Sequence, residues 1–172
     1  MNAAITLIPF MFIRILFFRC MDLKGYQRAQ KYAPLKEKKK IYFIIYQFCQ
    51  AILLLLPFFN HLRLLIWLDY LGVFFYIIGL VIIGLSISAF AQTKADTFSQ
   101  TGIYRFSRHP MYVGYFFFYL GLGFLMSSYL YLTVLLIFQI CTHQIILAEE
   151  TECLKTFGTS YQDYMQEVRR YF

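Results

Sequence analysis

Hydrophobic and polar positions alternate along this chain in blocks of whole segments. Five apolar runs, Ala3–Phe18, Ile41–Phe59, Leu64–Ala91, Met111–Met126 and Ser128–Leu147, are separated by short polar stretches. Crossing the hydrocarbon core of a bilayer takes about twenty helical residues, fewer where a helix is broken or tilted, so each run predicts a membrane helix. Arg14 interrupts the first run. No basic residue precedes its apolar core and no cleavage site follows it, so it reads as a membrane anchor and not as a signal peptide.

Small and polar residues are ordered within the runs. Gly72, Gly79 and Ser86 recur every seven residues in the third run, and Gly114, Gly121 and Ser128 do so in and just past the fourth. Residues seven apart lie nearly in line on a helix, which predicts grooves where a neighbouring backbone approaches closely. Tyr112, Tyr115 and Tyr119 share the opposite face of the fourth run. On the fifth, Gln139, His143 and Glu150 form a polar stripe. Such a stripe turns toward a partner helix or a cavity, and His143 is expected to make an interhelical hydrogen bond. The fourth and fifth runs meet around Ser127-Ser128-Tyr129, predicting a helical hairpin. Its open ends then bring Arg108-His109 beside Glu149-Glu150.

Composition strengthens the membrane reading: 60% of residues are apolar and 21% aromatic. No Pro/Gly/Ser linker divides the chain, so residues 1–172 read as one domain, with three helices up to residue 91 and the polar motifs, hairpin and tail over 92–172. The net charge of +7 is concentrated between the first two runs, at Lys24, Arg28, Lys31, Lys36, Lys38, Lys39 and Lys40 against Asp22 and Glu37. By the positive-inside rule that loop is cytoplasmic, His61 and Arg63 lie on the far side, and Lys94, Arg105, Arg108, Arg169 and Arg170 return to the cytoplasm. The expected topology is N-terminus out and C-terminus in. Beside apolar spans such a loop marks topology and touches anionic lipid, so no nucleic-acid partner is expected. Cys20, Cys49, Cys141 and Cys153 have neither CxxC nor Cys/His spacing, so no metal is expected. The fold class is all-α: a membrane bundle of about five helices, the last two a hairpin, with a short cytoplasmic C-terminal helix.

The chemistry concentrates in Gly102–Gly114 and Glu149-Glu150. Pro110 suits the first position of a helix. The N–H groups of Met111, Tyr112 and Val113 would then lack partners one turn back and, with the helix dipole, form an anion site. Arg108 and His109 add positive charge and a titratable donor, and the two glutamates offer carboxylates. A ligand with an anionic group, a cationic group and an aromatic or apolar body suits this set. An amino-acid moiety joined to a nucleoside through a sulfonium is one such ligand.

The run Arg108-His109-Pro110-Met111-Tyr112-Val113-Gly114, followed by Glu149-Glu150, Phe157-Gly158, Tyr161, Tyr164, Val168 and Arg170, resembles the isoprenylcysteine carboxyl methyltransferase family of membrane enzymes. The resemblance covers about the C-terminal half. Cys153, Glu167 and Arg169 depart from the family pattern, and the chain stops at Phe172 without the usual Pro-containing end. The resemblance implies a methyltransferase that takes S-adenosylmethionine from the cytoplasm and a lipophilic or lipidated substrate from the surrounding membrane lipid. It implies a cofactor site made by Arg108, His109, Pro110, Met111, Tyr112, Val113, Gly114, Glu149 and Glu150. Glu150 would meet the cofactor's ammonium, and Glu149 would hold the fold or a neighbouring basic group. Arg108, Glu150 and Arg170 are the expected catalytic set, with Arg170 either orienting an acceptor carboxylate or docking the tail. A carboxylate acceptor needs no base, and charge neutralisation on methyl transfer favours it at low dielectric. Esterification of a carboxylate such as that of an isoprenylcysteine is therefore expected. A phospholipid amine, a small thiol, a sterol-reductase-like oxidoreduction and a non-catalytic lipid-binding role are the alternatives. The host membrane would be the plasma membrane of a prokaryote or the endoplasmic reticulum of a eukaryote.

Overall fold

The computed structural model describes residues 1–21, 37–62, 67–93 and 97–171. The expected basic positions Lys24, Arg28, Lys31, Lys36, Arg63 and Lys94 lie outside the described residues, as do the side chains of Lys38 and Lys39. Regular structure among the described residues is helical apart from one isolated bridge, between Asn2 and His61.

The first apolar run forms α1 (Ala3–Cys20), whose hydrogen bonding changes along its length. It opens as a 3₁₀ turn over Ala3–Thr6 and widens to a π turn over Phe12–Phe17, with Arg14 inside the wide part. The Asn2 side chain caps it by accepting from the Ala4 N–H at 2.8 Å. Helix α2 spans Glu37–Leu55 and continues as a 3₁₀ turn through Leu56–Phe59. Helix α3 is Trp67–Ala91, α4 Pro110–Leu125, α5 Tyr129–Phe157 and α6 Thr159–Glu167.

Two expected spans change in length. Among the described residues four stretches (α1, α2 with its 3₁₀ extension, α3 and α5) are long and apolar enough to cross a membrane. The fourth run, Met111–Met126, is helical as α4 but has only 16 residues, about 24 Å at 1.5 Å each. The fifth run does not stop at Leu147: α5 has 29 residues, about 43 Å. The segment Ala148–Phe157 carries three Glu together with Ala, Leu and Lys and holds neither Gly nor Pro, so nothing ends the helix before Gly158, whose φ is +56°. The acidic pair therefore rides on a rigid extension of α5.

The glycine rows pack α3 on α4. A Cβ built on Gly79 would lie 2.7 Å from Phe118 Cα and 2.9 Å from the Gly114 carbonyl oxygen. One built on Gly121 would lie 2.8 Å from Tyr76 Cα. Ser128 instead caps α5, its hydroxyl accepting from the Tyr131 N–H at 3.3 Å. Helix α2 packs on α5 through stacked Tyr46 and Phe138 rings, 4.8 Å apart, and the Tyr131 hydroxyl donates to the Leu53 carbonyl at 3.2 Å. Helix α1 crosses α4, with Phe10 stacked on Phe118 at 4.5 Å. The Tyr76 hydroxyl of α3 donates to the Thr6 carbonyl of α1 at 2.8 Å. Outward positions such as Phe48, Phe74, Ile77, Val81, Leu136 and Ile140 are exposed and apolar, as a bilayer requires.

One end of the bundle is closed by Ala3 N–H donating to Asn60 and Leu62 N–H donating to Met1, at 2.9 and 2.8 Å. The hairpin turn at Ser127, with φ +47°, joins α4 to α5. The N-terminus of α4 and the extension of α5 meet at the opposite end of that hairpin.

Candidate active site

His109 precedes α4 as its cap residue and Pro110 takes the first helical position. The first turn is tight: the Tyr112 and Val113 N–H groups both donate to the His109 carbonyl, at 3.2 and 3.3 Å. This corrects the expectation of three unpartnered donors. With proline supplying none, Met111 is left as the N–H of that turn without a helical acceptor.

Glu149 and Glu150 are neighbours on a helix, so their side chains point about 100° apart and meet different partners. The Glu150 carboxylate is held by two guanidinium groups. Arg108 donates from Nε to Oε1 at 3.1 Å, with its Nη2 in ion-pair contact with the same oxygen at 2.9 Å, and Arg170 reaches Oε2 from Nε at 3.0 Å and from Nη2 at 2.8 Å. The Glu150 and Arg108 side chains are only 4% and 7% exposed, so this is a buried ion pair, joined from the solvent side by Arg170, whose side chain is 31% exposed. In return, the Glu150 carboxylate raises the Arg170 guanidinium further above its ordinary range. Glu149 turns to α4, where the Tyr112 hydroxyl donates to Oε1 at 2.6 Å. His109 stands between the two acids, with Nδ1 3.8 Å from Glu149 and Nε2 3.4 Å from Glu150. Glu149 keeps 26% of its side chain exposed, the more open of the pair.

The C-terminal segment folds over this cluster. Arg108 Nη1 donates to the Met165 and Val168 carbonyls at 2.8 and 3.1 Å, and the Arg108 N–H donates to the Arg169 carbonyl at 3.0 Å. The Ser107 hydroxyl donates to the Arg170 carbonyl at 3.1 Å. Phe98 sits among Phe157, Tyr161 and Tyr164, with ring centroids 5.0–5.3 Å away. The buried Tyr164 hydroxyl donates to the Tyr104 carbonyl at 2.7 Å. Burial pushes the Tyr164 hydroxyl up to about 12, so it remains a donor throughout the physiological range. Tyr164→Phe is expected to lower stability by about 1–2 kcal/mol, the cost of an orphaned buried carbonyl, read as a drop in thermal midpoint.

The structure thus brings Arg108, His109, Tyr112, Glu149, Glu150 and Arg170 to one place, with Met111 half-buried beside them. It places Pro110, Val113 and Gly114 differently. All three are buried in the bundle, and a Cβ on Gly114 would lie 2.7 Å from Ile83 Cγ1, so this glycine serves the α3 contact. Of the two roles left open for Arg170, docking the tail is the one the geometry displays. Arg105 is exposed and outside the cluster. Among the described residues His143 pairs with the tail and not with another membrane helix: its Nδ1 lies 2.6 Å from the Tyr171 hydroxyl. Sequence reasoning missed Ser107 and the carbonyls of Met165, Val168 and Arg169, since backbone acceptors leave no trace in side-chain identity. Among the described residues no cluster of His, Cys, Asp and Glu could hold a metal ion.

The family described as phospholipid methyltransferase matches residues 59–163, which is 105 of 172 residues and covers both halves of the cluster except the tail arginines. No curated protein and no solved structure matches the chain. The matched family is related to the isoprenylcysteine carboxyl methyltransferases that the motif resembles. An apolar helical bundle with an acid–base cluster at one end of its hairpin, matched over three-fifths of its length, belongs to the phospholipid methyltransferase family and is an integral membrane methyltransferase.

Proposed function

We propose that the chain transfers a methyl group from S-adenosylmethionine to the amine of a phospholipid headgroup. The observation that carries the reading is the meeting of His109 and Tyr112 with Glu149, about forty positions away, at a hairpin mouth open enough to leave Glu149 partly exposed. The donor set suits an amino-acid ligand bearing a sulfonium: a carboxylate of Glu149 for its cationic groups, and the Met111 N–H at a helix start for its anionic one. Bound there, S-adenosylmethionine supplies a methyl group already activated for displacement.

The protein's own part is positioning and proton removal. Arg108 and Glu150 fasten the tail across the mouth, which keeps water from the cluster. An ammonium headgroup must lose a proton before it can accept a methyl group, and His109 beside Glu149 provides a base pair for that proton. The ester-forming alternative drew on Arg170 to hold an acceptor carboxylate. Arg170 is engaged with Glu150, so that alternative loses its designated cation. The basic residues between positions 24 and 40 support a cytoplasmic site, with the N-terminus outside.

Calorimetric titration with S-adenosylhomocysteine tests the cofactor, and labelled methyl transfer to phosphatidylethanolamine or to farnesylcysteine tests the acceptor. The parent is expected to bind and to label the amine. Glu149→Gln is expected to weaken binding about 10- to 100-fold, the loss of one charge-assisted contact. Unchanged affinity in Glu149→Gln refutes the assignment of Glu149, and a base-labile ester product refutes the amine.

A further inference from the structure

Arg14 lies within an apolar membrane span, where an ionisable side chain is expensive. The π turn over Phe12–Phe17 surrounds it, and such widened turns redirect side chains and recur at functional sites. Its guanidinium carbon stands 5.7 Å from the Phe18 ring centroid and 5.9 Å from that of Tyr115 on α4. Two aromatic faces offset part of that cost. The Nη1 nitrogen is buried and has no hydrogen-bond partner among the described residues. A snorkelling arginine would carry its terminal nitrogens out to the interface. Here one of them stays buried, with the guanidinium carbon beside Tyr115 of α4.

Tyr115 connects this cation to the cluster. Its ring packs edge-on against Tyr112, centroids 6.4 Å apart, and Tyr112 both donates to Glu149 and lies 6.0 Å from the His109 ring. The neighbourhood is shared electrostatically as well. Burial raises the Tyr104 hydroxyl, Glu149 pushes it further up and Arg14 opposes them. Beside Arg14, Phe12, Ile15 and Leu16 are exposed on the outer face of α1, so this cation lies next to lipid.

We propose that Arg14 is the acceptor-side anion anchor, holding the phosphodiester of a phospholipid whose headgroup amine reaches toward His109 and Glu149 along the Tyr115–Tyr112 edge. This rests on the methyl-transfer reading for its purpose, and on the buried, partnerless Nη1 for its site. An amine and a phosphate oxygen in phosphatidylethanolamine are separated by two carbons, so one anchored headgroup presents its nitrogen in a restricted zone. That restriction is how the anchor raises selectivity. A lipidated carboxylate shares the anionic chemistry and is separated by the test.

Parent, Arg14→Gln and Arg14→Lys are compared in three measurements. S-adenosylhomocysteine titration checks that each variant is folded at the cofactor cluster. Methyl transfer is then measured to phosphatidylethanolamine, to sphingosine (a long-chain amine without phosphate) and to farnesylcysteine. Native mass spectrometry reads retention of phosphatidylethanolamine against sphingosine. Arg14→Gln is expected to reduce the preference for phosphatidylethanolamine over sphingosine about 10- to 100-fold, mainly through KM, and Arg14→Lys to restore most of it. Equal changes for the two amines, or equal retention in parent and Arg14→Gln, overturn the anchor. A loss confined to farnesylcysteine overturns the phosphodiester. A parent that binds no S-adenosylhomocysteine, yet loses phosphatidylethanolamine on Arg14→Gln, refutes the methyl-transfer reading and leaves the anchor standing.

Discussion

Alanine in place of Glu150 is expected to release the C-terminal segment and abolish turnover. The carboxylate is 4% exposed and stands between Arg108, on the loop before α4, and Arg170, in the tail. Removing it leaves the Arg108 guanidinium buried and uncompensated, facing the partly exposed Arg170. Breaking a buried pair from one side costs about 3–5 kcal/mol, because the surviving buried charge, here Arg108, loses compensation without being resolvated. Arg108 would still reach the Met165 and Val168 carbonyls, but repulsion from Arg170 opposes that docking. Hydrogen exchange should therefore show protection lost over residues 159–171, together with a lower thermal midpoint. Glu150→Gln, which keeps the volume and one acceptor, should fall between. Glu149→Gln provides the contrast, weakening cofactor binding while the tail stays protected. Full tail protection in Glu150→Ala would mean that the aromatic packing around Phe98 holds the segment unaided.

The helices were legible in the sequence because lipid-facing helices are apolar on nearly all sides, so a span announces itself as a run. Their ends were less so. Leu147 closes the apolar run but not the helix, since Ala148–Phe157 keeps high helical propensity until Gly158 permits a positive φ. The seven-residue glycine rows announced close helix contacts, but not that the two rows, on α3 and α4, face one another. The meeting of Arg108-His109 with Glu149-Glu150 followed from a short hairpin turn, which fixes which ends are neighbours. What the sequence left open was the division of labour inside that cluster. Adjacent glutamates look equivalent in one dimension, and only the helical twist sends Glu149 to Tyr112 and Glu150 to the arginines. Arg14 read as a flaw in a span because hydropathy registers a charge as a penalty. Its proximity to Tyr115 depends on how α1 crosses α4, which no local pattern encodes.

Leucine at Gly79 is expected to separate α3 from α4, with loss of the folded bundle in detergent. The atoms that a Cβ would meet there, Phe118 Cα at 2.7 Å and the Gly114 carbonyl oxygen at 2.9 Å, are backbone. No rotamer change moves them. Overpacking by single methylenes costs about 1–3 kcal/mol in cores that can adjust, and a whole isobutyl group against a rigid helix lies above that range. Association of membrane helices relies on close packing of small residues more than on the hydrophobic effect, so nothing else in the α3–α4 contact makes up the deficit. Gly84 supplies the control on the same helix: a Cβ there meets nothing within 4 Å, so Gly84→Leu should melt like the parent. Because α4 carries His109 and Tyr112 at its start, Gly79→Leu should also lose S-adenosylhomocysteine binding. Matching thermal midpoints for Gly79→Leu and Gly84→Leu would show that the two backbones do not approach this closely in the membrane, and the alignment of the cluster on α4 would then need another support.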